Sequence, residues 1–218
     1  MNRMSIQRTI VIIAVTLLIF GCATGASFEQ MIYQGESKSY PDDLKDGIQI
    51  VSTQGGQETG AFDGAQISND AFKSTIEESL RREGLYSESG DYGLDVYLLS
   101  VQQPFAGLSM TVTTTARYVM SESTGENSAT VFDETLVTPY TASFGSSLFG
   151  PKRMRLATEG AARENIEALL DKLAATDVRI RLSEHDAAHT IGSLARENRP
   201  HGSNPTADLL QATTAEAR

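Results

Sequence analysis

The chain has 218 residues, 40% of them hydrophobic, with 28 acidic against 18 basic side chains and a formal net charge of −10. That acidity disfavours nucleic acid and anionic lipid surfaces as partners, and a single cysteine excludes an internal disulfide framework.

At the N-terminus, Arg3 and Arg8 precede an apolar stretch from Ile10 to Phe20. This is the layout of a signal peptide. As a helix the stretch would rise roughly 16 Å, about half the thickness of a bilayer's hydrocarbon, so it fits an export signal better than a membrane span. It runs directly into Leu18-Ile19-Phe20-Gly21-Cys22, and Cys22 is the only cysteine of the chain. A thiol there can be alkylated by a diacylglyceryl group, and cleavage before it would free an amine for a further acyl chain. Several acyl chains hold a protein on a membrane where one does not. The expected layout is a signal peptide over 1–21 and a lipidated N-terminus and tether over 22–46. Removing 21 residues that carry two arginines and no acid leaves 197 residues and moves the net charge from −10 to −12. Residues 23–46 are rich in Ser, Gly, Asp and Lys without a sustained apolar period, hence the reading as a tether; the competing reading is a short extra strand around Phe28 to Tyr33.

The periodic part, 47–175, has the length of one ordinary domain. Gly47 to Ser52 reads as a strand, followed by a loop containing Gly55, Gly56, Gly60 and Gly64. Ser68, Asn69 and Asp70 offer N-caps for a helix in which Phe72, Ile76 and Leu80 fall four apart, with Gly84 as its stop and Leu85 as the apolar follower. Strands are expected over Tyr92–Val101, Leu108–Met120 and Thr130–Tyr140. The middle one alternates most cleanly, with Leu108, Met110, Val112, Ala116, Tyr118 and Met120 on one face. Pro139 suggests that the last strand lies at an edge or ends there. A second helix opens at Gly150-Pro151 and carries Ala162, Ile166, Leu169, Leu170 and Leu173 along one stripe. The order predicts an α+β fold: two helices packed on one face of a mostly antiparallel four-stranded sheet, β-α-β-β-β-α. Residues 176–218 turn polar and are expected to be a largely disordered tail, with a short helix allowed between Ser183 and Arg196.

Catalytic signals are thin. His185-Asp186-Ala187-Ala188-His189 would put two histidines on one helical face, as in zinc proteases, but it lies in the polar tail with only His201 as a further histidine, so no metal is expected. No nucleophile elbow and no phosphate-binding loop with its lysine is present. The residues point to a non-enzymatic protein without a cofactor.

The Leu18–Cys22 block resembles the lipobox of bacterial lipoproteins, with Ile19 and Gly21 matching and Phe20 departing. Ala23 stands where inner-membrane lipoproteins carry Asp, so the resemblance implies sorting to the periplasmic face of the outer membrane. In order and spacing the chain is similar to small envelope-assembly lipoproteins such as the lipopolysaccharide-assembly lipoprotein. The likeness lies in Cys22, Ile48 to Val51, Phe72 to Leu80, Asp91-Tyr92-Gly93-Leu94-Asp95-Val96, the Tyr118 strand with Gly125 at its turn, and Ala157 to Leu173. It implies a lipid-anchored accessory or assembly subunit with an envelope protein as partner; the alternative is a periplasmic module that binds a lipid or another small ligand.

The three-strand meander should bring Gln102–Gly107 and Ala142–Gly150 to one end of the sheet, joined by the Gly-rich loop Gln54–Gln66. Phe105, Phe144, Leu148 and Phe149 would then share a tip. They would serve either as an apolar contact surface or as a plug on the open end of the core.

Overall fold

The computed structural model describes residues 25–59, 65–123 and 129–176. Four strands form one sheet, β1 (Ile48–Gln54), β2 (Tyr92–Gln102), β3 (Met110–Glu122) and β4 (Thr130–Ala142), in the spatial order β1-β2-β3-β4. β1 runs parallel to β2, and the other two pairings are antiparallel. Two long helices, α2 (Asn69–Arg82) and α3 (Gly150–Ala174), pack on one face, and a single turn of helix, α1 (Phe28–Met31), lies against both. The expected α+β architecture is the observed one.

α2 begins where Ser68 accepts a hydrogen bond from the Ala71 N–H at 3.2 Å, filling one of the orphan donors of a helix start. Its apolar stripe, Phe72, Ile76 and Leu80, is fully buried. It ends at Gly84, whose φ of +70° suits a residue without a Cβ. The Gly84 N–H donates to the Arg81 carbonyl at 3.1 Å and the Leu85 N–H to the Leu80 carbonyl at 2.9 Å, so the last carbonyls are satisfied and Leu85 turns into the core. The Leu85 carbonyl then accepts from the Ile48 N–H at 2.9 Å, which ties the end of α2 to the outer edge of β1.

Along β3, Met110, Val112, Thr114, Ala116, Tyr118 and Met120 are buried, while Thr111 and Arg117 are exposed. Leu108 departs from the expected inner face: the ladder begins at the Met110–Ala142 pair, so Leu108 stands above the sheet, exposed. β4 is an edge strand, as β1 is at the other side, in keeping with Pro139, which can donate no ladder hydrogen bond.

The first half of α3 is rich in small residues, and Ala157, Ala161 and Ala162 are buried against the sheet. At Gly160 the approach is so close that a Cβ would lie 2.2 Å from the Tyr140 ring. One turn further on, Asn165 is wholly buried. Its amide donates to the Thr114 and Leu136 carbonyls at 3.3 and 3.1 Å and to the Thr138 hydroxyl at 3.0 Å, while its oxygen accepts from the Tyr118 hydroxyl at 2.8 Å. Thr138 passes its own proton to the Ala161 carbonyl at 3.0 Å. The Asn165 amide and the Tyr118 and Thr138 hydroxyls all have partners, which is the condition under which buried polar groups are tolerated, whereas the buried Thr114 hydroxyl beside them makes no hydrogen bond among the described residues.

Residues 25–46 differ from the expected tether, and from the competing strand. From Gly25 onward the chain is a strap laid over α2 and α3, and Met31, Ile32, Tyr33, Tyr40 and Leu44 are buried beneath it. The apolar residues are too irregularly spaced to show a period, yet each faces the helices. Polar contacts hold the strap down: Ser27 N–H to Glu159 at 3.0 Å, Tyr33 N–H to Ser79 Oγ at 3.1 Å, Arg163 to the Gln30 carbonyl at 2.8 Å, and Lys38 N–H and Tyr40 hydroxyl to Glu83 at 2.9 and 3.0 Å. The expected signal peptide, the turn at Gly125 and the expected tail, save for Thr176, lie outside the described residues.

Asn165→Ala should cost about 2–3 kcal/mol in urea unfolding, because it strands the buried Tyr118 hydroxyl and opens a void; Tyr118→Phe should cost about 1–2 kcal/mol. Glu159 generates a pH dependence. Burial pushes its carboxyl above the ordinary 4.5, outweighing the Ser27 N–H and the Arg155 and Arg163 charges that favour the carboxylate. A carboxyl that holds its proton more tightly folded than unfolded makes stability fall as pH rises from 4.5 through the raised value. Glu159→Gln keeps an oxygen for Ser27 and removes that loss, so the variant should gain on the wild type across that window in denaturation curves taken as a pH series.

Candidate functional site

β1 and β2 run toward one end of the sheet, β3 leaves from it and β4 returns to it. Three connections therefore meet there: 55–68, 103–109 and 143–149. The last two carry the exposed apolar residues Phe105 (106%), Leu148 (82%), Leu108 (75%), Phe149 (65%) and Phe144 (47%). All four residues expected at the tip are thus solvent-facing, with Leu108 beside them. They do not plug the core, which is closed beneath them by Met110, Val112, Ala142, Met154, Ala157 and Ala161.

Arg153, in the first turn of α3, binds the two loops together. It is 5% exposed, donates to the Ser147 carbonyl at 2.6 Å and the Gly107 carbonyl at 3.3 Å, and lies 5.3 Å from the centre of the Phe144 ring. A guanidinium is suited to this because its fork of donors is rigid and reaches two carbonyls at once. Gln103 adds the third connection, donating to the Ala65 carbonyl at 2.5 Å and to Thr158 at 3.3 Å. The 143–149 loop is further shaped by its serines. Ser146 returns its N–H and its hydroxyl to the Ser143 carbonyl at 3.0 and 2.7 Å, and Ser147 Oγ accepts from the Phe149 N–H at 3.2 Å.

The charge around these loops opposes that of the chain. No Asp or Glu occurs between Asp95 and Glu122, nor between Glu134 and Glu159, while Lys152 stands exposed beside the tip. The 103–109 and 143–149 loops are therefore apolar and acid-free on an acidic protein, while the neighbouring 55–68 connection carries Glu58, exposed, and Asp63 in its sequence.

Sequence reasoning located the apolar residues and missed what positions them. Arg153 was legible only as a charge near a helix start, although its spacing of four from Ala157 places it on the buried stripe. Cys22 with Leu18, Ile19, Phe20 and Gly21, and the histidines of the tail, lie outside the described residues. Among the described residues no group of three or more His, Cys, Asp or Glu side chains could hold a metal ion, and no helix is long and apolar enough to cross a membrane.

No protein-family model matches the chain, and no curated protein does. Among solved structures it is similar to a Xanthomonas campestris protein of the DUF330 family, at 14% identity over 64% of this chain and 91% of that one, with a TM-score of 0.46. It is also similar to a hypothetical protein of Chlamydia trachomatis (10% identity, 61% and 99% covered, TM-score 0.44). A third is a Caulobacter crescentus protein provisionally named a lipoprotein (13% identity, 61% and 90% covered, TM-score 0.41).

Phe149→Ser should change unfolding stability by less than about 0.5 kcal/mol, as befits an exposed residue outside the core. Arg153→Met should cost about 1–3 kcal/mol and speed amide exchange in 103–109 and 143–149 together, because both loops lose a charged donor at once.

Proposed function

We propose that the chain is a lipid-anchored, non-enzymatic lipoprotein of the cell envelope, held by Cys22 at the periplasmic face of the outer membrane and acting as an accessory or assembly subunit. The observation that carries this reading is the position of the lone cysteine. It closes an apolar signal-like segment in the block Leu18-Ile19-Phe20-Gly21-Cys22 and stands three residues before Gly25, the first described residue. A thiol needed for acylation explains both its presence and its uniqueness.

The uncovered side of the sheet supports a role in assembly. Among the described residues helices occupy one face only; the other presents Thr111, Thr113 and Thr115 on β3, the Arg117–Asp133 pair at 2.6 and 2.8 Å, and the exposed Val51, Leu99 and Val137. β4 ends the sheet, and among the described residues no strand pairs with its outer edge, a ready template for another strand.

Radiolabelled palmitate and mild crosslinking in isolated envelopes test the reading, with Cys22→Ser as the comparison. Wild type should take the label, fractionate with the outer membrane and bring down a defined envelope protein. Cys22→Ser should lose label and partner while keeping its melting temperature. Wild-type protein that is unlabelled and soluble in the periplasm would overturn the anchor; labelled protein that recovers bound lipid and no protein would favour the ligand-binding alternative.

A further inference from the structure

We infer that the apolar tip is the bilayer-contacting end of the domain, with Phe105, Leu108, Leu148 and Phe149 entering the interface of the same membrane that holds Cys22 and Lys152 meeting its phosphates. This deepens the anchored reading and rests on it.

The first argument is one of reach. Only two residues separate Cys22 from Gly25, where the described body begins, and three residue steps span at most about 11 Å. A body anchored at Cys22 therefore cannot stand far off the surface. The second argument is which end of the body is anchored. The Ala26 N–H donates to the Gln66 carbonyl at 3.0 Å, and Gly25 lies against Thr59; both partners belong to the 55–68 connection. Gln103 bonds that same connection at Ala65, so the strap starts at the tip end and descends from it. Ser27 is bonded to Glu159, and Gly150 stands nine residues up the helix from there, a rise of about 13 Å. A lead of at most about 11 Å beyond Gly25 is thus comparable with the rise of about 13 Å from the level of Ser27 to the start of α3, which lets acyl chains reach the surface that the tip meets.

The third argument is chemical. Phe and Leu side chains suit the boundary between headgroups and acyl chains, where carboxylates are unfavourable against phosphate. The two tip loops carry four exposed Phe and Leu side chains of this kind besides Phe144, small serines for the headgroup layer, and no acid, in a chain with 28 acids; Glu58, exposed on the adjoining 55–68 connection, stands outside these two loops. The Arg153 clamp ties the two loops to each other and to α3, which lowers the order that has to be gained on contact.

The chain has no tryptophan, so one introduced indole is an unambiguous reporter. Phe105→Trp, Phe149→Trp and, on the open sheet face, Val137→Trp would be prepared in the full lipidated protein. Each would be reconstituted into vesicles of phosphatidylethanolamine and phosphatidylglycerol with brominated acyl chains. Emission from the two tip variants should shift to the blue and be quenched, and emission from Val137→Trp should not. Protein shown by mass to be lipidated, with the tip emitters unshifted or crosslinked to another protein instead, overturns the inference and leaves the anchor standing. If mass shows no lipid on Cys22, the anchor fails by itself, and the Cys22→Ser chain carrying the same reporters is added to the vesicles. Quenching at the tip, which for the Phe105→Trp reporter is weakened roughly tenfold or more by Leu148→Ser with Phe149→Ser, then upholds tip contact, and its absence refutes it.

Discussion

A single buried amide fixes how the helical layer meets the sheet. Asn165 bonds main-chain carbonyls of both β3 and β4 and the hydroxyls of Tyr118 and Thr138, so α3 can neither slide nor rotate without leaving polar groups unpaired in a dry interior. Apolar packing along Ile166, Leu169, Leu170 and Leu173 provides most of the driving force, but it would tolerate a shifted helix far better than the amide does. The small residues ahead of Asn165 then let α3 approach closely, with Tyr140 lying over Gly160.

What stands at the start of α3 inherits that placement. Arg153 lies three turns before Asn165, and because the helix is fixed, its guanidinium is presented at one spot between two loops that lie far apart in sequence. The loops are joined by a buried donor rather than by a core of their own. Their apolar side chains are therefore free to face outward, and the satellite cluster around Met110 and Met154 closes the core without them.

The strap gives the molecule a direction. It enters beside the 55–68 connection and runs down between α2 and α3 to the far end of β1, burying Met31 and Tyr33 on the way. A segment whose composition suggested a loose tether is instead bound along its length from Gly25 onward. Net charge is equally uneven: the 103–109 and 143–149 loops carry no acid, while the adjoining 55–68 connection carries Glu58.

The elements themselves were legible in the sequence because their signals are local. A period of two through Met110 to Met120, a spacing of four through Phe72, Ile76 and Leu80, and a glycine at the end of a helix each reflect contacts that an element makes with one flat or cylindrical neighbour. Their order was enough for the fold class, and the meander was enough to bring Phe105 to Phe149. Whether those residues cover the core or face solvent was not legible, since a plug and a contact surface call for the same apolar side chains. That depended on Arg153 and on the methionines beneath it. The strap was hidden for a related reason: it has no period, because its residues follow the groove between two helices rather than a repeat of their own. Sequence determined what each segment is; the tertiary structure alone decided what each segment touches, because those contacts join residues from dozens to more than a hundred positions apart, and no local pattern records a partner at that distance.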